Sequence, residues 1–373
     1  MGLVIVEVST QLYPSALPKP DEIGNLLMPV CIFATHVEYS SLRMEPQYMI
    51  LWRNHPVVTR SYKGLRATDR QEKRRILRLS ENSTRWIVAF ALVYFLPVLT
   101  TAQSETAQAV LHMALGRTNA AAVLLDGKDG HLLAVMRPHE AGGAASTPGS
   151  TLKPLFLAEA LRAGVIRASS VVSCRRNLRI AGRNLACTHP LDENAFDAER
   201  ALAYSCNSYF ANLAKRLSPE QEVNVLRSYG FGSRTGLFSP ESPGSVIRPE
   251  SEDSLQLAVL GLETMSVTPA QLARAYFLLA QRIHETPAVQ RGLEESVAYG
   301  MAHNAFTSGL AIAGKTGTAS DPGQPWTHGW FAGIVSRGQR SMIVVIYAPR
   351  GNGADAAQLA HRFFVEWQRA VAR

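Results

Sequence analysis

The sequence predicts an α+β domain running from Gln103 to Arg373, with one sheet made by both ends of the domain and a helical insertion between them. Three observations lead there. Near the start, "NAAAVLLDGKDGHLLAVMRP" sets two apolar runs on either side of Asp126-Gly127 and Asp129-Gly130, the pattern of a β-hairpin. In the middle, apolar residues recur at helical spacing over 152–162, 197–217, 219–229 and 269–282. Near the end come three strand-like runs, "LAIAGKTGTAS", "HGWFAGIVS" and "SMIVVIYAP", followed by an amphipathic stretch over 355–372 that closes the domain. No Ser/Gly/Pro-rich linker and no internal repeat interrupts it, so it reads as one domain.

The first helical stretch opens with "STPGSTLKPLFLAEALRAG". Ser150 stands where the helix begins and is a good N-cap, and Lys153, one turn later, shares its face. Lysine is scarce in this chain, with only seven, so a lysine at that place is informative. In "YSCNSYF", Ser205, Cys206 and Asn207 fall on the second helical stretch, and Lys315, Thr316, Gly317 and Thr318 fall on the first late strand. Each group has an ordinary reading alone: a helix cap, polar residues on a solvated turn, a simple turn. In this order, with Ser205 55 positions after Ser150 and Lys315 110 after Ser205, they form the S-x-x-K, S-x-N and K-T-G set of serine acyltransferases.

The chain here resembles the penicillin-binding protein transpeptidase domain, from about Asn119 to Trp367. Besides the three motifs, "YGFGSRTG", "VTPAQLARAYFLLA" and "AGKTGTAS" with the later "HGWFAG" are similar to stretches of that family. One departure is Gly261-Leu262-Glu263, where the family commonly has Gly-Gln-Gly ahead of a Thr-Pro. The resemblance implies an antiparallel sheet flanked by helices plus an all-helical subdomain, as in the transpeptidases and serine β-lactamases, with the cleft between them.

It also implies a D,D-transpeptidase or D,D-carboxypeptidase that forms a serine acyl-enzyme on D-Ala-D-Ala stem peptides and is acylated by β-lactams. A hydroxyl attacks such an amide near neutral pH only if a base takes its proton. Ser150 is then the nucleophile, as well as the cap, and Lys153 the base, its pKa depressed by burial beside Lys315. Ser205 passes a proton toward the leaving amine, and Asn207 binds Lys153 and the substrate amide. The backbone N–H groups of Ser150 and Thr318 serve the oxyanion. Lys315, Thr316 and Thr318 hold the substrate carboxylate, and Gly317 leaves room at the strand edge for substrate. Two alternatives share this nucleophile: a class D-like serine β-lactamase, which Asn207 disfavours, and a sensor that binds β-lactam or peptidoglycan without turnover.

Composition narrows the rest. Hydrophobic residues make up 46% and charged residues 18%, enough apolar content for a sizeable core. The net charge of +8 comes from scattered arginines without a DNA- or RNA-binding signature, so no nucleic-acid partner is expected. The four cysteines show no close metal-ligand pair and there is no HExxH, so neither metal ligands nor a cofactor are expected. Cys174 and Cys187 bracket a small hairpin turning near Gly182, and they are read as either bridged, if the domain is exported, or unpaired. Cys206 reads as a packed thiol.

Ahead of the domain, Trp86–Leu99 is an uncharged run of 14 residues, too short for a full membrane crossing. A basic stretch precedes it and small residues follow at Thr100 and Ala102, the order of a signal peptide or membrane anchor over 86–102. Residues 1–85 are poorly periodic and proline-dotted, and read as a cytoplasmic tail or as sequence ahead of the true start. The catalytic domain 103–373 is therefore expected to be exported, facing the periplasm or cell wall, and tethered through 86–99 if that run is uncleaved.

Overall fold

The computed structural model describes residues 106–371 and, ahead of them, two short strands at Phe33–Thr35 and Gln47–Met49. The chain divides into two units, Met1–Thr84 and Arg85–Arg373. In the first, the two short strands pair antiparallel with Ala34 opposite Tyr48. The apolar run at 86–102 and the rest of the 1–85 segment lie outside the described residues. Among the described residues no helix is long and apolar enough to cross a membrane.

The second unit is built on a five-stranded antiparallel sheet in the spatial order Ala311–Ala319, His328–Arg337, Arg340–Ala348, Ala121–Asp126, Leu132–Met136. The last strand of the chain pairs with the first of the domain, Val345 opposite Val123, so the two ends close one sheet as the pattern predicts. Both faces are covered, which explains why the central strands read as continuous apolar runs. Val123, Trp330, Ile343 and Val345 pack with Tyr276 and Leu279 of the helix Pro269–Arg282 on one face. Leu124, Phe331, Val344 and Ile346 pack with Phe363, Phe364 and Trp367 of the helix Gly353–Val371 on the other.

The helical insertion follows its caps. Ser218 with Gln221 and Thr268 with Gln271 form capping boxes at the starts of Pro219–Ser228 and Pro269–Arg282, each satisfying two orphan amides. Two further helices, Glu252–Val259 and Pro287–Ala298, have no counterpart among the sequence expectations. The expected helix over 197–217 is broken into Ala198–Ala203 and Asn207–Ala214. The break lies at Ser205, whose φ of 55° is left-handed. A non-glycine residue pays about 1–2 kcal/mol for that conformation, and what Ser205 contacts explains why it persists.

Candidate active site

Ser150 lies in a single 3-10 turn, Gly149–Leu152, that runs straight into the helix Lys153–Arg162. It does not cap that helix, as its position suggested: the N-cap residue is Leu152, with no side-chain cap bond. Its half-buried hydroxyl makes no hydrogen bond among the described residues, so it is left available for chemistry.

The turn is held from every side. Thr147 O accepts from His328 Nε2 at 2.7 Å and Trp330 Nε1 at 3.0 Å, while Thr147 N and Oγ1 both donate to Asp321 Oδ1. Tyr276 OH donates to Thr151 O at 2.9 Å, and Gly149 N donates to Gly261 O at 2.8 Å. Gly261 is the first residue of the stretch that departs from the family pattern. A Cβ there would sit 2.1 Å from Gly149 O, so the glycine is required even though Leu262 and Glu263 differ. The sequence reading missed Thr147, Asp321, His328 and Tyr276 because each acts through a partner distant in the chain.

Lys153, Ser205, Asn207 and Lys315 meet in one hydrogen-bonded cluster. Lys153 Nζ donates to Asn207 Oδ1 at 2.6 Å, to Ser205 O at 2.8 Å and to Ser205 Oγ at 3.2 Å. Lys315 Nζ donates to the same Ser205 Oγ at 2.9 Å. The left-handed backbone of Ser205 is what turns its carbonyl and hydroxyl together toward the lysines, a strained residue at a candidate site.

Both lysines are completely buried. Burial lowers the Lys153 ammonium to about 8, partly offset by the nearby Cys206 and Cys187 thiols. Lys315 lies well below the ordinary lysine range, first through burial and then through the Lys153 charge. Of the expectation that burial beside Lys315 depresses Lys153, the burial part holds, while the charge repulsion falls on Lys315.

The strand Ala311–Ala319 brings the third motif against the Ser150 turn. Thr318 is exposed, and its Oγ1 accepts from Gly353 N at 2.8 Å, leaving its own proton free to be donated. Thr316 is buried and donates to Met301 O at 3.3 Å. Gly317 serves a different purpose from the one expected. A Cβ on it would meet Pro148 O at 2.4 Å and Thr151 Cγ2 at 3.0 Å, so what it leaves room for is the Ser150 turn. Gly149, at φ 57°, answers from the other side, where a Cβ would meet Thr318 O at 2.8 Å and Thr318 N at 3.0 Å. The Ser150 turn and the Thr318 backbone are thereby held in contact.

Cys174, Cys187 and Cys206 are all free, so of the two readings left open for Cys174 and Cys187 the structure has the unpaired one. The small hairpin between them is present, Arg179–Ile180 pairing with Arg183–Asn184 about Ala181-Gly182. Although the spacing suggested no metal ligands, the fold gathers these three thiols around His189.

A family model described as the penicillin binding protein transpeptidase domain matches residues 120–364. The chain belongs to that family. Among curated relatives, it is 25% identical over 282 residues to the peptidoglycan D,D-transpeptidase MrdA of Acinetobacter baumannii, covering 59% of this chain and 42% of that one. Stage V sporulation protein D of Bacillus subtilis is 25% identical over 209 residues, covering 46% and 32%. The chain thus spans less than half the length of these curated relatives. Solved structures agree on the fold. The crystal structure of Pseudomonas aeruginosa PBP2 superposes with a TM-score of 0.62 at 20% identity, covering 69% of this chain and 76% of that one. A peptidoglycan glycosyltransferase from Burkholderia ambifaria gives 0.63 at 20% identity, covering 73% and 96%. The antiparallel sheet flanked by helices is therefore the fold of penicillin-binding transpeptidase domains.

Proposed function

We propose that this protein is a peptidoglycan D,D-transpeptidase or D,D-carboxypeptidase that works through a serine acyl-enzyme and is acylated by β-lactams. The observation that carries the reading is the convergence of two buried lysines on Ser205 Oγ, one helical turn from an unengaged serine hydroxyl. Burial makes an amine give up its proton, which a general base on Ser150 requires. In the proposed first step Ser150 Oγ attacks the carbonyl carbon of the penultimate D-Ala while neutral Lys153 takes the hydroxyl proton. The oxyanion lies at the amides of Ser150 and Thr318, whose backbones the two glycines hold in contact. The C–N bond to the terminal D-Ala then breaks, and Ser205, hydrogen-bonded to both lysines, relays a proton to the departing amine. Asn207 keeps Lys153 in line, and Thr318, the exposed member of the K-T-G motif, meets the substrate carboxylate with Lys315 and Thr316 behind it. An acceptor amine or water completes the cycle and releases Ser150.

The same reading places the domain outside the cytoplasmic membrane, where stem peptides are found, with residues 86–102 as leader or anchor. The test is incubation with a pentapeptide ending in D-Ala-D-Ala. Release of D-Ala, with transfer to an added acceptor amine, supports the transpeptidase. Release without transfer selects the carboxypeptidase. No release, combined with rapid hydrolysis of benzylpenicillin, would favour a β-lactamase.

A further inference from the structure

On the far side of the Ser205–Asn207 turn, four side chains that the proposed chemistry does not use converge on one point. The ligand atoms of Cys174, Cys187, His189 and Cys206 all lie within 4.8 Å of one another. Cys174 Sγ is 3.3 Å from His189 Nε2, and Cys187 Sγ is 4.0 Å from Cys206 Sγ. We propose that these four residues form a closed tetrahedral Zn²⁺ site that fixes the Ser205–Cys206–Asn207 turn in place.

The dimensions and the donor set point to zinc. With Zn–S near 2.3 Å and Zn–N near 2.0–2.1 Å, the edges of such a tetrahedron run to roughly 3.5–3.8 Å. The two distances above bracket that value and no pair exceeds it by more than about 1 Å, so a metal is admitted once the donor atoms draw inward by up to about half an ångström each. Three thiolates and one imidazole exclude the oxygen-seeking cations magnesium and calcium, and four protein ligands leave no open position, as in structural zinc centres.

The imidazole is already oriented. His189 Nδ1 lies 3.2 Å from Pro190 O and, equally, 3.2 Å from Arg176 Nη2. With Nδ1–H donated to the carbonyl, the Nε2 lone pair faces the thiols, the arrangement that metal-binding histidines favour. Arg176 fixes the same loop by donating to His189 O, Pro190 O and Glu193 O. His189 and Cys206 are buried, so the site is closed on its inner side.

The surrounding lobe also needs a cross-link. Between Val172 and Phe196 the only regular structure is two ladders of two residues per strand. Few of its residues are fully buried, Ile180 and Phe196 being the apolar ones. So small an apolar core supplies little stability by itself, and a bound metal contributes its binding free energy to folding directly. The metal would join this lobe to the active site through Cys206, the N-cap residue of the Asn207–Ala214 helix and neighbour of both motif residues. Asn207 Nδ2 makes a second tie, donating to Leu185 O at 3.1 Å. The site thus positions Ser205 and Asn207 without touching substrate.

Metal content and thiol state are read without turnover, so this inference stands or falls apart from the proposed activity. The full chain, grown with added zinc and dialysed without chelator, is expected to carry about one zinc per chain. Its thiols should react slowly until a chelator is added, and Co²⁺ exchanged into the site should give thiolate-to-cobalt charge-transfer bands with tetrahedral d–d intensity. Cys174→Ser and His189→Gln are each expected to weaken zinc retention by at least about tenfold, and chelation should lower the melting temperature of the unsubstituted protein only. If either variant fails to fold, zinc content and cobalt spectrum of the unsubstituted protein still decide. Less than about a tenth of a zinc per chain, a different metal at full occupancy, or a disulfide between any two of the three cysteines in the native protein would overturn the proposal.

Discussion

Lys153 and Lys315, one from a helix and one from the sheet, donate to the same hydroxyl, Ser205 Oγ, at 3.2 and 2.9 Å. That shared contact ties the three sequence motifs into one hydrogen-bonded unit and makes the two amines physically distinguishable. Lys153 also reaches Asn207 and stands one turn from Ser150, whereas among the described residues Lys315 has only Ser205 and its neighbour's carbonyl Thr316 O.

Arginine at the two positions separates their roles. Lys153→Arg keeps a charge but removes a group able to accept a proton, and its second-order acylation rate by penicillin is expected to fall by about 10³-fold or more. Lys315→Arg keeps donors to Ser205 but must fit a larger head into a completely buried site, with a smaller expected loss of about 10–100-fold. Comparable rates for Lys153→Arg and unsubstituted protein would assign the base elsewhere.

The pH dependence follows from the Lys153 value of about 8. Below it the amine is mostly protonated and cannot take the Ser150 proton. The acylation rate should therefore climb by about tenfold per pH unit on the acid side and level off near pH 8. A profile flat between about pH 6 and pH 8 would remove Lys153 as the base.

Gly317→Ala places a Cβ 2.4 Å from Pro148 O, a backbone atom that can yield only if the Ser150 turn moves. A loss of about 1–3 kcal/mol in stability is expected, together with slower acylation. If the variant melts and acylates like the unsubstituted protein, Gly317 is not what admits the turn.

Glu222 offers a test of the helical lobe away from the site. It is completely buried on the helix Pro219–Ser228, neither carboxyl oxygen has a hydrogen-bond partner among the described residues, and burial raises it to about 7 from 4.5. A pKa raised in the folded state gives stability that is present below pH 4.5 and lost as pH rises through 7. Glu222→Gln abolishes that loss, so it should stabilise the protein at pH 8 by up to about 3 kcal/mol and have little effect below pH 5. An equal change in melting temperature at both pH values would contradict the assignment.

Much of this was legible in the chain, for reasons that differ residue by residue. The sheet could be read because the runs at 121–126 and 340–348 are apolar on both faces, and Ser150, Lys153, Ser205, Asn207 and Lys315 because their spacing is a motif. The break at Ser205 was hidden because helical periodicity continues through 204–206 while a tertiary contact overrides it. Gly317 was misjudged because a glycine in a strand signals close approach without saying from which side. The cluster about His189 was hidden because its ligands are scattered over Cys174–Cys206, far from any compact metal-binding spacing, and meet only through the fold.

The central claim is that Ser150 is the nucleophile of a penicillin-acylated enzyme. Its most direct measurement is mass spectrometry of the protein after reaction with a fluorescent penicillin, with the adduct mapped by peptide. A single covalent adduct on Ser150, persisting for minutes or longer, is expected, and none on the Ser150→Ala variant. An adduct on another residue, or undiminished labelling of the alanine variant, would contradict it.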